Sequence, residues 1–132
     1  MVQNSAARII TMSRKRQHIT PILKSLHWLP VKYRIQYKAL LLTFKSVNNL
    51  TPQYLQDLLH PYKPSRDLRS GNKGLLEIPS TKLKSFGDRA FSVYAPKLWN
   101  LLPIHLKQAP SLSVFKKLLK QHLFEKCYNQ NL

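Results

Sequence analysis

Apolar side chains recur at helical spacing along most of the chain, and this pattern predicts a mainly α-helical fold, a compact bundle of short helices. The longest predicted helix covers residues 31–48. On a wheel of ~100° per residue, its broad apolar face consists of Tyr33, Tyr37, Leu40, Leu41, Phe44 and Val47. A second, narrower apolar strip consists of Val31, Ile35 and Leu42. Because this helix is apolar on two sides, we predict that it is central to the fold.

Proline and capping residues set the predicted bounds of the other helices, which cover residues 2–12, 20–28, 51–59, 88–101 and 111 onwards. Thr20 and Thr51 each precede a proline, a combination that favours a helix start with a hydroxyl N-cap. Asp88 is the predicted N-cap of the helix over 88–101, with a kink or break at Pro96. Ser111 is the predicted N-cap of the last helix, which has an apolar inner face and a basic outer face.

The middle of the chain lacks helical periodicity and contains most of its turn signals. We predict a loop over 60–70, a turn at 71–74, and a small β-hairpin around residues 68–87 with strands at 75–78 and 82–86. A chain of 132 residues fits one domain, or a fragment of a larger one, over 1–132. Its predicted organisation is helical over 1–60, loop and hairpin over 61–87, and helical again over 88–132.

The charge balance narrows the classes of function. Lys and Arg number 22 against five Asp and Glu, which gives a net charge of +17, and the first carboxylate in the chain is Asp57. Such a chain is attracted to polyanions, nucleic acid first and an anionic membrane surface second. The single cysteine, Cys127, excludes an internal disulfide framework and any zinc site built from several cysteines.

Catalytic chemistry has little support in the sequence. Two-metal polymerase or nuclease sites need clustered carboxylates, whereas the acids here are isolated: Asp57, Asp67, Glu77, Asp88 and Glu125. No glycine-rich nucleotide loop is present, and no histidine pair has metal-binding spacing. His122 and Cys127 lie near one helix end, where a partly buried structural histidine is the favoured interpretation. The sequence therefore predicts a protein that is not an enzyme and has no cofactor or metal.

Basic side chains form four clusters, and these are the candidate nucleic-acid-binding residues. They are Arg14-Lys15-Arg16, the helical stripe Arg34/Lys38/Lys45, Lys82/Lys84/Arg89, and Lys116/Lys117/Lys120. For any one cluster, a solvated helix face is the simpler interpretation. For the set, the scarcity of compensating acids favours phosphate contacts, which give affinity without sequence readout. Trp28 and Trp99 could stack on bases, but their Leu- and Pro-rich surroundings favour anchors of the core or of a corner between helices.

Several motifs resemble those of a known family. They include Val2-Gln3-Asn4-Ser5-Ala6-Ala7-Arg8, His18-Ile19-Thr20-Pro21-Ile22-Leu23, Leu26-His27-Trp28-Leu29-Pro30-Val31, Tyr33-Arg34-Ile35, Pro52-Gln53-Tyr54-Leu55, Leu68-Arg69-Ser70, Gly87-Asp88-Arg89-Ala90-Phe91, Ala95-Pro96-Lys97-Leu98-Trp99-Asn100, Leu101-Leu102-Pro103 and Ser113-Val114-Phe115-Lys116. In this order they resemble the C-terminal region, downstream of the polymerase core, of non-LTR (LINE) retrotransposon reverse transcriptases of the jockey-like group. The resemblance covers nearly the whole chain.

The resemblance implies a role without supplying a catalytic residue. The family's polymerase motif and its endonuclease lie outside the matching region, so no catalytic residue carries over to this chain. The implied role is to help hold template RNA or target DNA beside the polymerase thumb of a parent protein, in the nucleus or cytoplasm. Two alternatives stay open. One is a cationic protein whose basic amphipathic helices bind a membrane surface or an acidic partner. The other is a mitochondrial protein whose acid-free N-terminus is a transit peptide.

Overall fold

Helices dominate the computed structural model, which describes residues 2–66 and 73–129, without the side chain of Lys84. The mainly α-helical prediction is confirmed, and within the described residues the compact fold contains eight helices. They are α1 (Val2–Ile10), α2 (Ile19–Ser25), α3 (Val31–Val47), α4 (Gln53–Gln56), α5 (Lys84–Gly87), α6 (Phe91–Asn100), α7 (Ile104–Lys107) and α8 (Leu112–Tyr128).

The main core forms where α3 packs against α6 and α8. One aromatic ring from each helix meets there. The rings of Phe44 and Phe115 stack with centroids 4.1 Å apart, and the Trp99 ring lies tilted at 6.5 Å and 6.2 Å from them. Leu40 and Leu119 are buried beside the rings. The predicted burial of the broad apolar face of α3 is therefore confirmed at Leu40 and Phe44, while Tyr37 and Leu41 are half-buried against this core.

The second apolar strip of α3 is not buried, so α3 is central on one side only. Val31, Ile35 and Leu42 are 54%, 56% and 39% exposed. Within residues 2–66 and 73–129 no helix covers them, because α6 and α8 pack mainly against the other apolar face of α3.

A second, smaller core joins the two ends of the described chain. Ala7 of α1, Ile22 and Leu23 of α2, and Tyr128 of α8 are buried together, and Trp28 packs beside them. The Tyr128 hydroxyl also donates a hydrogen bond to the backbone carbonyl of Trp28 at 2.5 Å. The end of α8 therefore fixes the corner between α2 and α3. The sequence placed Trp28 correctly as a corner anchor.

Three helices end in the same backbone motif. Met12, His27 and Asn49 have positive φ values of 49°, 52° and 57°. The amide of each residue donates to the carbonyl three residues earlier, as His27 does to Lys24. The amide of the following residue donates to the carbonyl five residues before it, as Trp28 does to Leu23. This is the Schellman motif, in which glycine is the usual residue because a side chain strains the left-handed conformation.

Three of the four predicted N-caps are displaced in the structure, and only Ser111 holds its predicted position. The N-cap of α2 is His18, whose Nδ1 accepts a hydrogen bond from the Thr20 amide, so Thr20 lies inside the helix. Likewise Pro52, not Thr51, precedes α4. Ala90 precedes α6, and Asp88 instead forms a salt bridge with Lys97 at 3.0 Å. α6 continues through Pro96 without a break.

The predicted hairpin is wrong in its strand pairing. Leu76 forms an isolated antiparallel bridge with Pro61, not with residues 82–86, and residues 84–87 form the helical turn α5. The Asn100 side chain takes the place of a second partner strand, because it accepts from the Leu76 amide at 2.9 Å and donates to its carbonyl at 2.8 Å. The predicted turn at 71–74 lies partly outside the described residues.

Candidate nucleic-acid interface

A groove of about 990 Å³ runs along the exposed side of α3. Its apolar part is the strip of Val31, Ile35 and Leu42 that the core leaves uncovered. Gln3 of α1, the corner between α2 and α3, Arg89 with the start of α6, and Lys120 of α8 complete its walls. The groove therefore exists because α3 has two apolar faces and only one of them is packed.

Four cationic side chains line this groove. Arg34 and Lys38 are one turn apart on α3, Arg89 precedes α6, and Lys120 lies on α8. All four are exposed. The structure therefore brings together candidate residues from three of the four predicted clusters. No carboxylate is among the described residues that line the groove, so the field of the four cations is not offset there. We call this the basic groove, defined by Arg34, Lys38, Arg89 and Lys120 together with the apolar strip of α3.

Aromatic rings line the basic groove together with the cations. Tyr37, Phe91 and Tyr94 line it and are half-buried, so each leaves part of its surface open to a ligand. Burial raises the pKa of the Tyr37 hydroxyl. Sequence reasoning assigned no functional role to these three residues. The signal that could have found them is helical spacing: Tyr37 lies three residues after Arg34 on α3, and Tyr94 lies three residues after Phe91 on α6, so each pair shares a helix face.

His27 lies at the corner of the basic groove, where the Schellman motif holds its backbone. Its imidazole ring lies 5.3 Å from the ring of Phe124 on α8. The α2–α3 corner is therefore fixed both by the Trp28–Tyr128 hydrogen bond and by this ring contact. Such fixed surroundings keep a binding surface preformed.

The remaining candidate residues lie outside the basic groove. Arg14, Lys15 and Arg16 are exposed on the loop between α1 and α2, and Lys116 and Lys117 are exposed on α8. Three others are placed separately: Lys45 is half-buried near the end of α3, Lys82 is exposed before α5, and Lys84 lies in α5 with a side chain outside the described residues. The predicted clusters therefore divide into one shared groove and several separate surfaces.

Two further basic features were missed from the sequence. The Arg8 guanidinium donates through Nη2 to the Gln17 carbonyl at 3.0 Å, which ties α1 to the end of the basic loop over 13–17. Elsewhere, burial and the charge of Lys73 lower the pKa of Lys107. The charge of Lys73 therefore acts on Lys107 from a position distant in sequence, a proximity that helical spacing cannot reveal.

The described residues contain no cluster of three or more His, Cys, Asp or Glu side chains able to hold a metal ion. Burial, followed by the charge of Lys126, lowers the pKa of the half-buried His122. Burial raises the pKa of the Cys127 thiol, and this disfavours the thiolate that a nucleophile needs. None of the helices in residues 2–66 and 73–129 is both long and apolar enough to cross a membrane.

Comparisons with known proteins gave no match. No protein-family model fits the chain, and no curated protein or solved structure is significantly similar to it. The resemblance to LINE reverse transcriptases therefore depends on the sequence motifs alone.

Proposed function

We propose that this chain is a non-catalytic nucleic-acid-binding element, the C-terminal fragment of a LINE-type RNA-directed DNA polymerase that helps its parent protein to hold template RNA or target DNA. The observation that carries the proposal is the basic groove. It collects four exposed cations from three separate elements, and no carboxylate is among its described lining residues. Cations that are merely solvated need not come together from separate elements. Binding a phosphate backbone, by contrast, requires several cations close together along the strand.

The distribution of the other cations supports binding without sequence readout. The exposed loop cluster Arg14-Lys15-Arg16 and the exposed pair Lys116 and Lys117 offer phosphate contacts on surfaces outside the groove. Phosphate contacts position a protein on nucleic acid but carry no sequence information. We therefore expect similar affinities for strands of unrelated sequence.

The surroundings of the acids support a non-catalytic role. Asp57 accepts a hydrogen bond from Gln53 at 2.8 Å, Asp88 pairs with Lys97, and Glu125 accepts from Gln121 at 3.0 Å. Each of these carboxylates therefore has a local partner, and the three lie near α4, α6 and α8 respectively. A site for two Mg²⁺ ions would need the carboxylates of these separate elements to lie close together.

Salt-dependent binding tests the proposal. Fluorescence anisotropy would measure the affinity of the purified chain for labelled RNA and DNA over a range of salt concentrations. Vesicles with and without phosphatidylserine would be measured in parallel, since an anionic membrane is the principal alternative ligand. We expect binding to both nucleic acids that weakens linearly with salt on a log–log plot. Absence of salt-sensitive nucleic-acid binding at low ionic strength would refute the proposal, and tight vesicle binding in its place would favour the membrane alternative.

Two triple variants test the basic surfaces at the two ends of the chain. One replaces Arg14, Lys15 and Arg16 with alanine, and the other replaces Lys116 and Lys117 together with the groove residue Lys120. Each removes exposed cations from a separate surface, so each should weaken binding and flatten the salt dependence. Wild-type affinity and slope in both variants would show that the binding surface lies elsewhere.

A further inference from the structure

The basic groove contains more than phosphate binding requires. Phosphate oxygens need only cations and hydrogen-bond donors. Here the cations border an exposed aliphatic strip on α3, in which Ile35 is 56% exposed, and the partly open rings of Tyr37, Phe91 and Tyr94. An exposed apolar strip beside open rings is a costly surface in water, and such surfaces mark binding sites.

We infer that the basic groove receives the unpaired bases of a single-stranded nucleic acid, so that the chain binds single strands in preference to duplexes. This inference rests on the proposed nucleic-acid binding and adds to it the strand class and the groove. Bases of a single strand can stack on side-chain rings while neighbouring cations follow the backbone. In a duplex the base faces are stacked within the helix and cannot reach such rings.

An acidic amphipathic helix is the other ligand whose charge and apolar face would suit this groove. The composition of the walls favours bases. Five rings line the groove: Tyr37 of α3, Phe91 and Tyr94 of α6, and His27 and Trp28 at the corner. An amphipathic helix needs only an aliphatic groove, whereas this many rings suit stacked bases. Stacking on rings is the interaction through which proteins bind bases of any sequence. This tolerance agrees with the lack of sequence readout expected from phosphate contacts.

Tyr94 is the most suitable ring for a test. It lines the groove and is half-buried, yet it is not among the partly buried hydrophobic residues packed against the main core, as Tyr37 and Phe91 are. Replacing Tyr94 with alanine therefore removes a ring from the groove with limited effect on folding. Tyr94→Phe keeps the ring. Tyr54→Ala is the matched control, because Tyr54 is 67% exposed on α4 and does not line the groove.

The experiment compares three labelled probes of equal length by fluorescence anisotropy: oligo(dT), an abasic strand with the same number of phosphates, and a dA·dT duplex. We expect the wild-type chain to bind oligo(dT) most tightly. Tyr94→Ala should weaken oligo(dT) binding by roughly 5- to 150-fold, the range found for loss of one base–ring stack. It should leave the abasic affinity unchanged, and a circular dichroism melt establishes that the variant is folded. Tyr94→Phe and Tyr54→Ala should both retain wild-type preference.

A second pair of variants tests the apolar strip without removing a ring. Ile35→Asn makes the strip polar, whereas Val47→Asn makes the same kind of change at a residue of α3 that is 45% exposed and outside the groove. We expect weaker oligo(dT) binding for Ile35→Asn only.

The outcomes separate this inference from the proposed function. Equal, salt-sensitive binding of all three probes by the wild-type chain would overturn the inference and leave nucleic-acid binding intact. No salt-sensitive binding of any probe would overturn both. An acidic amphipathic peptide that binds more tightly than oligo(dT), and loses this binding in Tyr94→Ala, would assign the groove to a protein partner and overturn the inference.

Discussion

Two double variants with the same total charge can separate the basic groove from the overall charge of the chain. The first changes Lys38 and Lys120, which line the groove, to glutamine. The second changes Lys32 and Lys63, which are exposed but do not line it. Each loses two of the 17 net positive charges, which leaves +15. Glutamine keeps much of the length of the lysine side chain, so packing of the aliphatic stem changes little.

The expected size of the effect follows from counterion release. Each phosphate neutralised on a single strand contributes about −0.7 to the slope of log affinity against log salt, so the four groove cations contribute about −2.8. Loss of Lys38 and Lys120 should flatten the slope by about 1.4, which corresponds to roughly 25-fold weaker binding at ~0.1 M salt. The Lys32 and Lys63 variant should keep the wild-type slope, because its missing charges do not contact the strand.

Titration of labelled oligo(dT) at several salt concentrations measures both slopes, and circular dichroism melts establish that both variants are folded. If the two variants flatten the slope equally, total charge determines binding and the groove has no special role. If neither variant changes the slope, the phosphate contacts lie on the remaining basic surfaces.

Three predictions concern stability. Phe115→Ala removes a fully buried ring from the main core and should lower the free energy of unfolding by about 3–5 kcal/mol; an unchanged urea midpoint would contradict the packing of α8 on α3. Met12→Gly should stabilise the chain by about 1 kcal/mol, because Met12 has φ 49° and is 93% exposed, so little packing is lost; a lower melting temperature would count against this. Tyr128→Phe removes the hydrogen bond to Trp28 and should cost about 1 kcal/mol at neutral pH. Burial, followed by the effect of Cys127, raises the pKa of Tyr128 from 10.0 to about 12; the stability from its protonated hydroxyl is therefore complete below pH 10 and lost as pH rises through about 12. Equal alkaline destabilisation of Tyr128→Phe and wild type would show that Tyr128 is not responsible.

Helical periodicity predicted the core because burial on a helix depends on spacing within one element. The broad face of α3 gave Leu40 and Phe44 correctly, and Ser111 is the N-cap of α8 as expected, with its hydroxyl accepting from the Val114 amide. The predicted β-hairpin failed because a side chain distant in sequence makes the hydrogen bonds that a partner strand was expected to make. Asn100 pairs with both backbone groups of Leu76, so the expected partner strand is not needed.

The basic groove could be predicted only in part. The stripe containing Arg34 and Lys38 follows from the helical wheel. The approach of Arg89 and Lys120 depends on how α6 and α8 pack against α3, and no periodicity within one helix determines this. The exposure of Ile35 could not be predicted from the sequence either, because an apolar strip has the same sequence pattern whether or not another element covers it.

The hydrogen bond between Tyr128 and Trp28 joins residues 100 positions apart, and this has a consequence for synthesis on the ribosome. Chains emerge from the N-terminus at about 5–20 residues per second, so the α2–α3 corner leaves the ribosome several seconds before Tyr128 does. During that interval the corner lacks both this hydrogen bond and the Phe124 ring beside His27. The α2–α3 corner is therefore completed only after α8 has emerged, and a nascent chain that stops within α8 presents the cations of α3 without the corner that completes the basic groove.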